Sequence, residues 1–359
     1  MRAIFDRVEV PYLVREHLFI GNIGDAAEIL QNGSDDITHI LSVLSKASIS
    51  FFSEWRKGLS IPTKEIRKVY VGDSGSKSSL SPDKLLYSLE RAGKDLKFVR
   101  MGVPLRDTES EDLLDYLDVC LDFIEDSRKE GSVLVHCFAG VSRSAAIITA
   151  YLMRSEGLSV DDAIESLRQS CESVCPNDGF LEQLKMFEEM GFKVDHESLI
   201  YKCFSLKVLG DSYNHGEKVD SSKFGADPGL PAKIVTSNSD ASTDKAPTRA
   251  YRCKKCCRLV ALQENVLDHV PGEDETSFEW HRRTSNSNNR DEEECSSIFV
   301  EPLHWMTTVD EGGLEGKLLC AHCEARLGNF NWSGIQCSCG SWITPAFQLH
   351  KSQVDISTV

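Results

Sequence analysis

The sequence predicts an α/β fold, a mainly parallel sheet flanked by helices, followed by a second, smaller, mostly β domain stapled by cysteine clusters. Three observations carry that expectation. Over the first half of the chain, apolar strand-like runs alternate with helical periodicities, the pattern of a parallel sheet covered by crossover helices. One of those runs, Val133-Leu134-Val135, leads into a short turn and then into a helical pattern from Ala145 onward. Finally, eight of the thirteen cysteines crowd between Cys253 and Cys339, most of them in close pairs.

The elements follow in order. Residues 18–20 open as a short strand, and 26–30 are helical until Gly33 stops them. Residues 37–44 form a buried strand. The next fifty residues hold a polar loop over 74–79 and a predicted helix over 82–91. Residues 97–104 return to strand. Leu113, Leu114, Leu117, Leu121 and Ile124 share one helical face that Gly131 closes. Beyond the helix at 145–152 come two more, one capped at Ser159 with Asp162 in its first turn, the other following Pro176-Asn177. Residues 211–250 are rich in Ser, Asp, Lys, Gly and Pro without apolar periodicity, which predicts a flexible tether. The expected domains are therefore 1–195 and 251–359, joined by a connecting segment and linker over 196–250.

Composition excludes several classes. A formal charge of −16 disfavours bulk electrostatic binding of nucleic acid, and 41% apolar residues suffice for packed cores. No apolar run is long enough to span a membrane, and the first residues lack a signal-peptide core. An intracellular, soluble protein is expected. In a reducing compartment its cysteines are metal ligands or catalytic thiols rather than disulfides.

The nine residues from His136 to Ser144 concentrate the chemistry. Cys137 sits where a buried strand ends, and Arg143 sits six positions later where a helix begins. Backbone N–H groups of Phe138, Ala139, Gly140, Val141 and Ser142 can converge there, helped by the helix N-terminus and by bidentate Arg143. Such surroundings hold a cysteine as thiolate, aimed at a bound anion. A nucleophile beneath a phosphate implies phosphoryl transfer. That reaction needs an acid for the leaving group. Asp107, thirty residues upstream in a polar loop, is the candidate, with Glu109, Glu111 and Asp112 as neighbouring competitors.

This stretch resembles the signature of cysteine-dependent protein phosphatases, His-Cys, five residues, then Arg and Ser or Thr, and most resembles the dual-specificity branch. The resemblance covers roughly residues 1–195. It implies a phosphatase fold, a phosphocysteine intermediate, an acid at the spacing of Asp107, and no metal in catalysis. Ser144 is then expected to hydrogen-bond the departing thiolate, and His136 to orient the loop. Residues 176–184 are similar to a stretch that follows the phosphate loop in this branch, and are taken as a packing motif. The neutral Phe138, Ala139, Val141 and Ser142 depart from the lysine-bearing loops of phosphoinositide phosphatases, so phosphoproteins are the expected substrates.

In the last third, Cys253 and Cys256 form one Cys-x2-Cys knuckle and Cys320 and Cys323 another; Cys337 and Cys339 form a third pair. Two structural zinc ions are the economical reading. Cys253, Cys256, Cys320 and Cys323 would hold one, and His269, Cys295, Cys337 and Cys339 the other. His350 is an alternative to His269, and Cys257 is left as a spare thiol. Residues 251–256, 301–306 and 327–347 resemble the zinc-binding C-terminal domain of the dual-specificity phosphatase 12 family. That resemblance implies a cytoplasmic and nuclear protein. It also implies an alternative function, a zinc-dependent assembly factor for the large ribosomal subunit that meets pre-ribosomal particles through this domain. From Tyr251 onward ten Lys/Arg face sixteen Asp/Glu, so direct RNA binding has little support.

Overall fold

Seven strands build one sheet in the unit spanning Met1–Ile200. In chain order they are β1 (Tyr12–Arg15), β2 (Leu18–Gly21), β3 (Ile37–Leu44), β4 (Thr63–Tyr70), β5 (Leu85–Ala92), β6 (Phe98–Pro104) and β7 (Ser132–His136). The helices are α1 (Ile23–Asn32), α2 (Ser50–Trp55), α3 (Leu114–Glu130), α4 (Arg143–Glu156), α5 (Val160–Ser170) and α6 (Asp178–Glu189). The structure, a computed structural model, describes residues 11–74, 78, 80–214, 223–230, 248–269, 295–310 and 312–358.

Strand order is β1-β2-β7-β3-β6-β5-β4. The four central strands β2, β7, β3 and β6 are parallel, while β1 on one side and β5–β4 on the other add antiparallel edges. Every residue of β7 is buried, as expected of a central strand covered on both faces. Side chains alternate between faces. Ile40, Leu44 and Leu134 pack with α1 and Phe52 of α2. The alternate residues Leu41, Val43, Val133 and Val135 are equally buried, beneath α3 and α4. Helix α4 is buried from Arg143 to Met153 and forms the centre of the helical layer.

Two expectations change. Residues 82–91 do not form a helix; 85–92 are β5. Their Leu, Glu, Arg and Ala are good helix formers, but β5 gains ladder bonds from both β4 and β6 and buries Leu86, Tyr87 and Ala92. Tertiary pairing decides. The loop expected at 74–79 lies largely outside the described residues, with Ser74 closing a short 3-10 turn. The segment expected as connection and tether is partly folded chain. α7 (Leu199–Asn214) occupies its start, and the second unit, Tyr201–Val359, includes most of that helix. Cys203, Leu206 and Leu209 of α7 and Phe224 bury in the second core, and Gly225 bridges to Leu303. Residues 215–222, 231–247 and 270–294 lie outside the described residues.

The second unit is mostly β. β8 (Arg249–Cys253) pairs on one side with β9 (Leu259–Leu262) and on the other with the final strand β17 (Val354–Thr358). β10 (Val266–Leu267), β11 (Ser297–Val300), β12 (Glu315–Leu319), β13 (Arg326–Asn331) and β16 (Ala346–His350) form a five-stranded antiparallel sheet. β14 (Ile335–Gln336) and β15 (Trp342–Ile343) form a hairpin, and α8 (Thr307–Asp310) is a single turn. Trp332 is fully buried, stacked on Tyr213 at 5.0 Å and edge-on to Phe347 at 5.3 Å. Trp305 and Phe330 are also core residues, while Trp342 is exposed.

Candidate active site and metal centres

The carboxyl ends of β2, β3, β6 and β7 meet along one edge of the sheet, where open α/β folds place their ligands. Cys137 follows β7 directly, and only 1% of it is exposed. The Gly140 amide donates to its Sγ at 3.2 Å, and Ser144 Oγ donates at 3.3 Å. Gly140 has φ +76°, and a Cβ there would sit 3.0 Å from the Gly21 carbonyl oxygen. Only glycine suits that turn. The turn is tied to the start of α1, because Ile23 N–H donates to the Phe138 carbonyl at 3.2 Å. That start is itself rigid: Asn22 and Asp25 form a reciprocal capping box.

Burial alone would push the Cys137 thiol up. Bonds from the Ser144 hydroxyl and amide, the Arg143 guanidinium and the Gly140 amide outweigh it and hold the thiol below its ordinary value. The Arg143 side chain is 9% exposed, and its Nη1 donates to the Leu105 carbonyl at 3.3 Å. Its Nε is buried with no hydrogen-bond partner among the described residues, and Asp107 Oδ2 lies 3.6 Å away. A buried charged donor left over is costly unless an anion accepts from it. Phe138 and Ala139 are exposed and Gly140 is buried, so the sulfur is the floor of a cradle opening past residues 138–139.

Asp107 stands over this cradle. Its Oδ1 accepts from Ser142 Oγ at 2.6 Å and from Asn177 Nδ2 at 2.9 Å, and Asn177 N–H donates to Ser142 Oγ at 3.2 Å. Asn177, read from sequence as part of a packing motif, thus also fixes the loop that carries Asp107. Gly179 explains the close approach: a Cβ there would lie 2.0 Å from the Glu109 carbonyl. The competing carboxylates have other work. Glu111 is buried beside Arg106 and Lys84, and Asp112 accepts from the Asp115 amide at the start of α3. His136 Nε2 lies 2.7 Å from Ser42 Oγ, and burial pushes its pKa down to about 3.

A direct consequence is testable by alkylation. Iodoacetate should modify Cys137 at pH values below the ordinary thiol range, where Cys120, pushed up by burial, stays inert. Ser144→Ala should move the onset to higher pH, because a donor to the thiolate is lost. An onset unchanged by Ser144→Ala would show that this hydroxyl does not stabilise the sulfur.

Two ligand sets come together in the second unit: Cys253, Cys256, Cys320 and Cys323, and His269, Cys295, Cys337 and Cys339, each with its donor atoms within 4.8 Å of one another. Cys253–Cys323 and Cys256–Cys320 sulfurs are 3.6 Å apart, and Cys295 Sγ lies 3.4 Å from His269 Nε2. Disulfide sulfurs would be about 2 Å apart. A tetrahedral ion about 2.3 Å from each sulfur separates them by about 3.8 Å, so the sets fit a metal. Both knuckles share one backbone device: Cys257 N–H returns to the Cys253 carbonyl and Glu324 N–H to that of Cys320, with positive φ at Cys257 and Glu324. The thiols resist ionising together. An Ala325 amide holds Cys323 down to about 7, while Cys256 is pushed up to about 12, its Arg258 amide bond outweighed by partial burial and neighbouring thiols. A cation resolves that repulsion. His350 is outside the set, facing Ser297 and Asn329. The first set ties the β8–β9 sheet to the β12–β13 hairpin; the second ties β10 and β11 to β14–β15.

A cysteine at the end of a central parallel strand, an arginine opening the next helix and a carboxylate clamped over both define a protein-tyrosine and dual-specificity phosphatase. Residues 82–190 match the model of the dual specificity phosphatase catalytic domain. The chain is 42% identical over 259 residues to dual specificity protein phosphatase 12 of Homo sapiens, covering 71% of this chain and 73% of that protein. It is 35% identical over 295 residues to the tyrosine-protein phosphatase YVH1 of Saccharomyces cerevisiae, covering 74% and 79%. The solved phosphatase domain of Yvh1 from Chaetomium thermophilum is 25% identical, covers 50% of this chain and 95% of that one, and has a TM-score of 0.34. The chain belongs to the dual specificity protein phosphatase 12 family.

Proposed function

We propose that this chain hydrolyses phosphotyrosine and phosphoserine or phosphothreonine in phosphoproteins through a phosphocysteine at Cys137. The observation that carries the proposal is the buried sulfur accepting from Gly140 and Ser144 beside an Arg143 whose Nε has no hydrogen-bond partner among the described residues. Cys137 Sγ forms the S–P bond as the P–O bond to the leaving group breaks, and Asp107 gives that oxygen its proton. Arg143 and the amides of residues 138–142 take the equatorial oxygens. Water, deprotonated by Asp107, then breaks the S–P bond, releasing phosphate, while Ser144 stabilises the departing thiolate. No metal enters this sequence.

Asp107→Asn tests the acid. It should lower kcat about 10²–10⁴-fold on alkyl phosphates, and far less on an aryl phosphate whose phenoxide leaves unprotonated. Equal losses on both would contradict the assignment.

The two clusters of the second unit are assigned to structural zinc, every position of each tetrahedron being filled by the chain. That unit, with its own core, supports a second reading: a docking module for pre-ribosomal particles in the cytoplasm and nucleus, with phosphatase activity secondary. In cells lacking the protein, growth restored by Cys137→Ser but not by a chain ending near Ala250 would favour this reading. The reverse pattern would eliminate it.

A further inference from the structure

Behind the cradle runs a chain of buried polar groups. Arg100 of β6 is fully buried, and its Nη1 donates to the Glu90 carboxylate on β5. Its Nη2 donates to the Ala47 carbonyl at 3.1 Å, and its Nε to Ser42 Oγ on β3 at 2.8 Å. Ser42 Oγ is 2.7 Å from His136 Nε2, and His136 Nδ1 is 3.1 Å from the Cys137 carbonyl oxygen. Ser42 and His136 are both fully buried.

Chemistry fixes the direction of each bond. A guanidinium only donates, so Ser42 Oγ accepts from Arg100 and turns its own proton toward His136. Nε2 is then the bare nitrogen, and Nδ1–H donates to the Cys137 carbonyl. The opposite tautomer would set a lone pair against that carbonyl oxygen. Burial, joined by the positive Arg100 and Arg143 and opposed by the bond to the Cys137 carbonyl, keeps the ring neutral. In a trans peptide the carbonyl and the following N–H point in opposite directions. Anchoring the Cys137 carbonyl on His136 therefore turns the Phe138 N–H the other way, toward the cradle.

We infer that Glu90, Arg100 and Ser42 are positioning residues: they select one tautomer of His136 and, through it, aim the first amide of the phosphate cradle. The inference rests on the phosphocysteine reading. It gives the β4–β5 hairpin a part in catalysis, since its Glu90 holds the arginine. An isolated buried ion pair is weak evidence of added stability, whereas a fixed donor geometry at the nucleophile has a direct use.

The test is histidine ¹⁵N NMR on the full chain, with orthovanadate as the phosphate-shaped probe. His136 should be a single Nδ1–H tautomer in the wild-type protein and a mixture in Ser42→Ala. The paired variant Glu90→Leu/Arg100→Met, which leaves no orphaned charge, should give the same mixture. In both, vanadate affinity and kcat/KM should fall about tenfold. A wild-type His136 protonated on Nε2 would overturn the inference, whether or not the paired variant folds. So would a folded paired variant with unchanged tautomer and vanadate affinity. Undiminished hydrolysis by Cys137→Ser would instead remove the phosphocysteine reading while leaving the tautomer result standing.

Discussion

Cys137→Ser should abolish hydrolysis of aryl phosphates and phosphopeptides, with kcat falling by at least about 10⁴-fold. Serine keeps the size of the side chain and the bonds from Gly140 and Ser144, so the fold and the cradle should survive. What disappears is the anion: the same donors that hold a thiol below its ordinary value cannot bring a hydroxyl near neutrality. Substrate should therefore still bind, with KM little changed while kcat collapses. Steady-state kinetics on the purified variant check this, and a variant retaining more than about one tenth of wild-type kcat would exclude a covalent role for Cys137.

Removing the metal should have the largest effect on stability. Structural zinc contributes on the order of 10 kcal/mol in small domains, and each proposed ion ties together segments distant in the chain. Chelation, or acidification that protonates the ligands, should unfold the second unit while the phosphatase unit keeps its secondary structure and its activity. Native mass spectrometry should count two zinc ions in the intact chain. Cys320→Ser should lose the ion held with Cys253 and Cys256 and keep the one at His269. Loss of both ions, or of neither, would show that the two ligand sets are not independent sites.

The placing of Cys137, Gly140 and Arg143 around one turn is legible in the sequence because adjacent residues build it. A strand end, a turn containing Gly140 and a helix start lie within nine positions, and the spacing determines the geometry. The ligand sets were readable too, because close cysteine pairs leave few ways to form a tetrahedron. Long-range pairing was not. β5 carries residues compatible with helix, and its partners β4 and β6 decide its state. α7 is not legible in the sequence because its apolar residues lie around the helix rather than along one stripe, and a tether-like composition follows it. The same limit hid Asn177 and Arg100. Nothing local indicates that residue 177 reaches back seventy positions to Asp107, or that an arginine inside a strand is fully buried against Glu90.

Rapid-quench trapping of the intermediate tests the central claim most directly. Wild-type protein mixed with a phosphotyrosine peptide labelled at phosphorus, quenched within one turnover and digested, should carry the label on the fragment containing Cys137, as an S-phosphoryl group. Label on a hydroxyl such as Ser142, or hydrolysis with no labelled protein at any time in a turnover, would contradict attack by that sulfur.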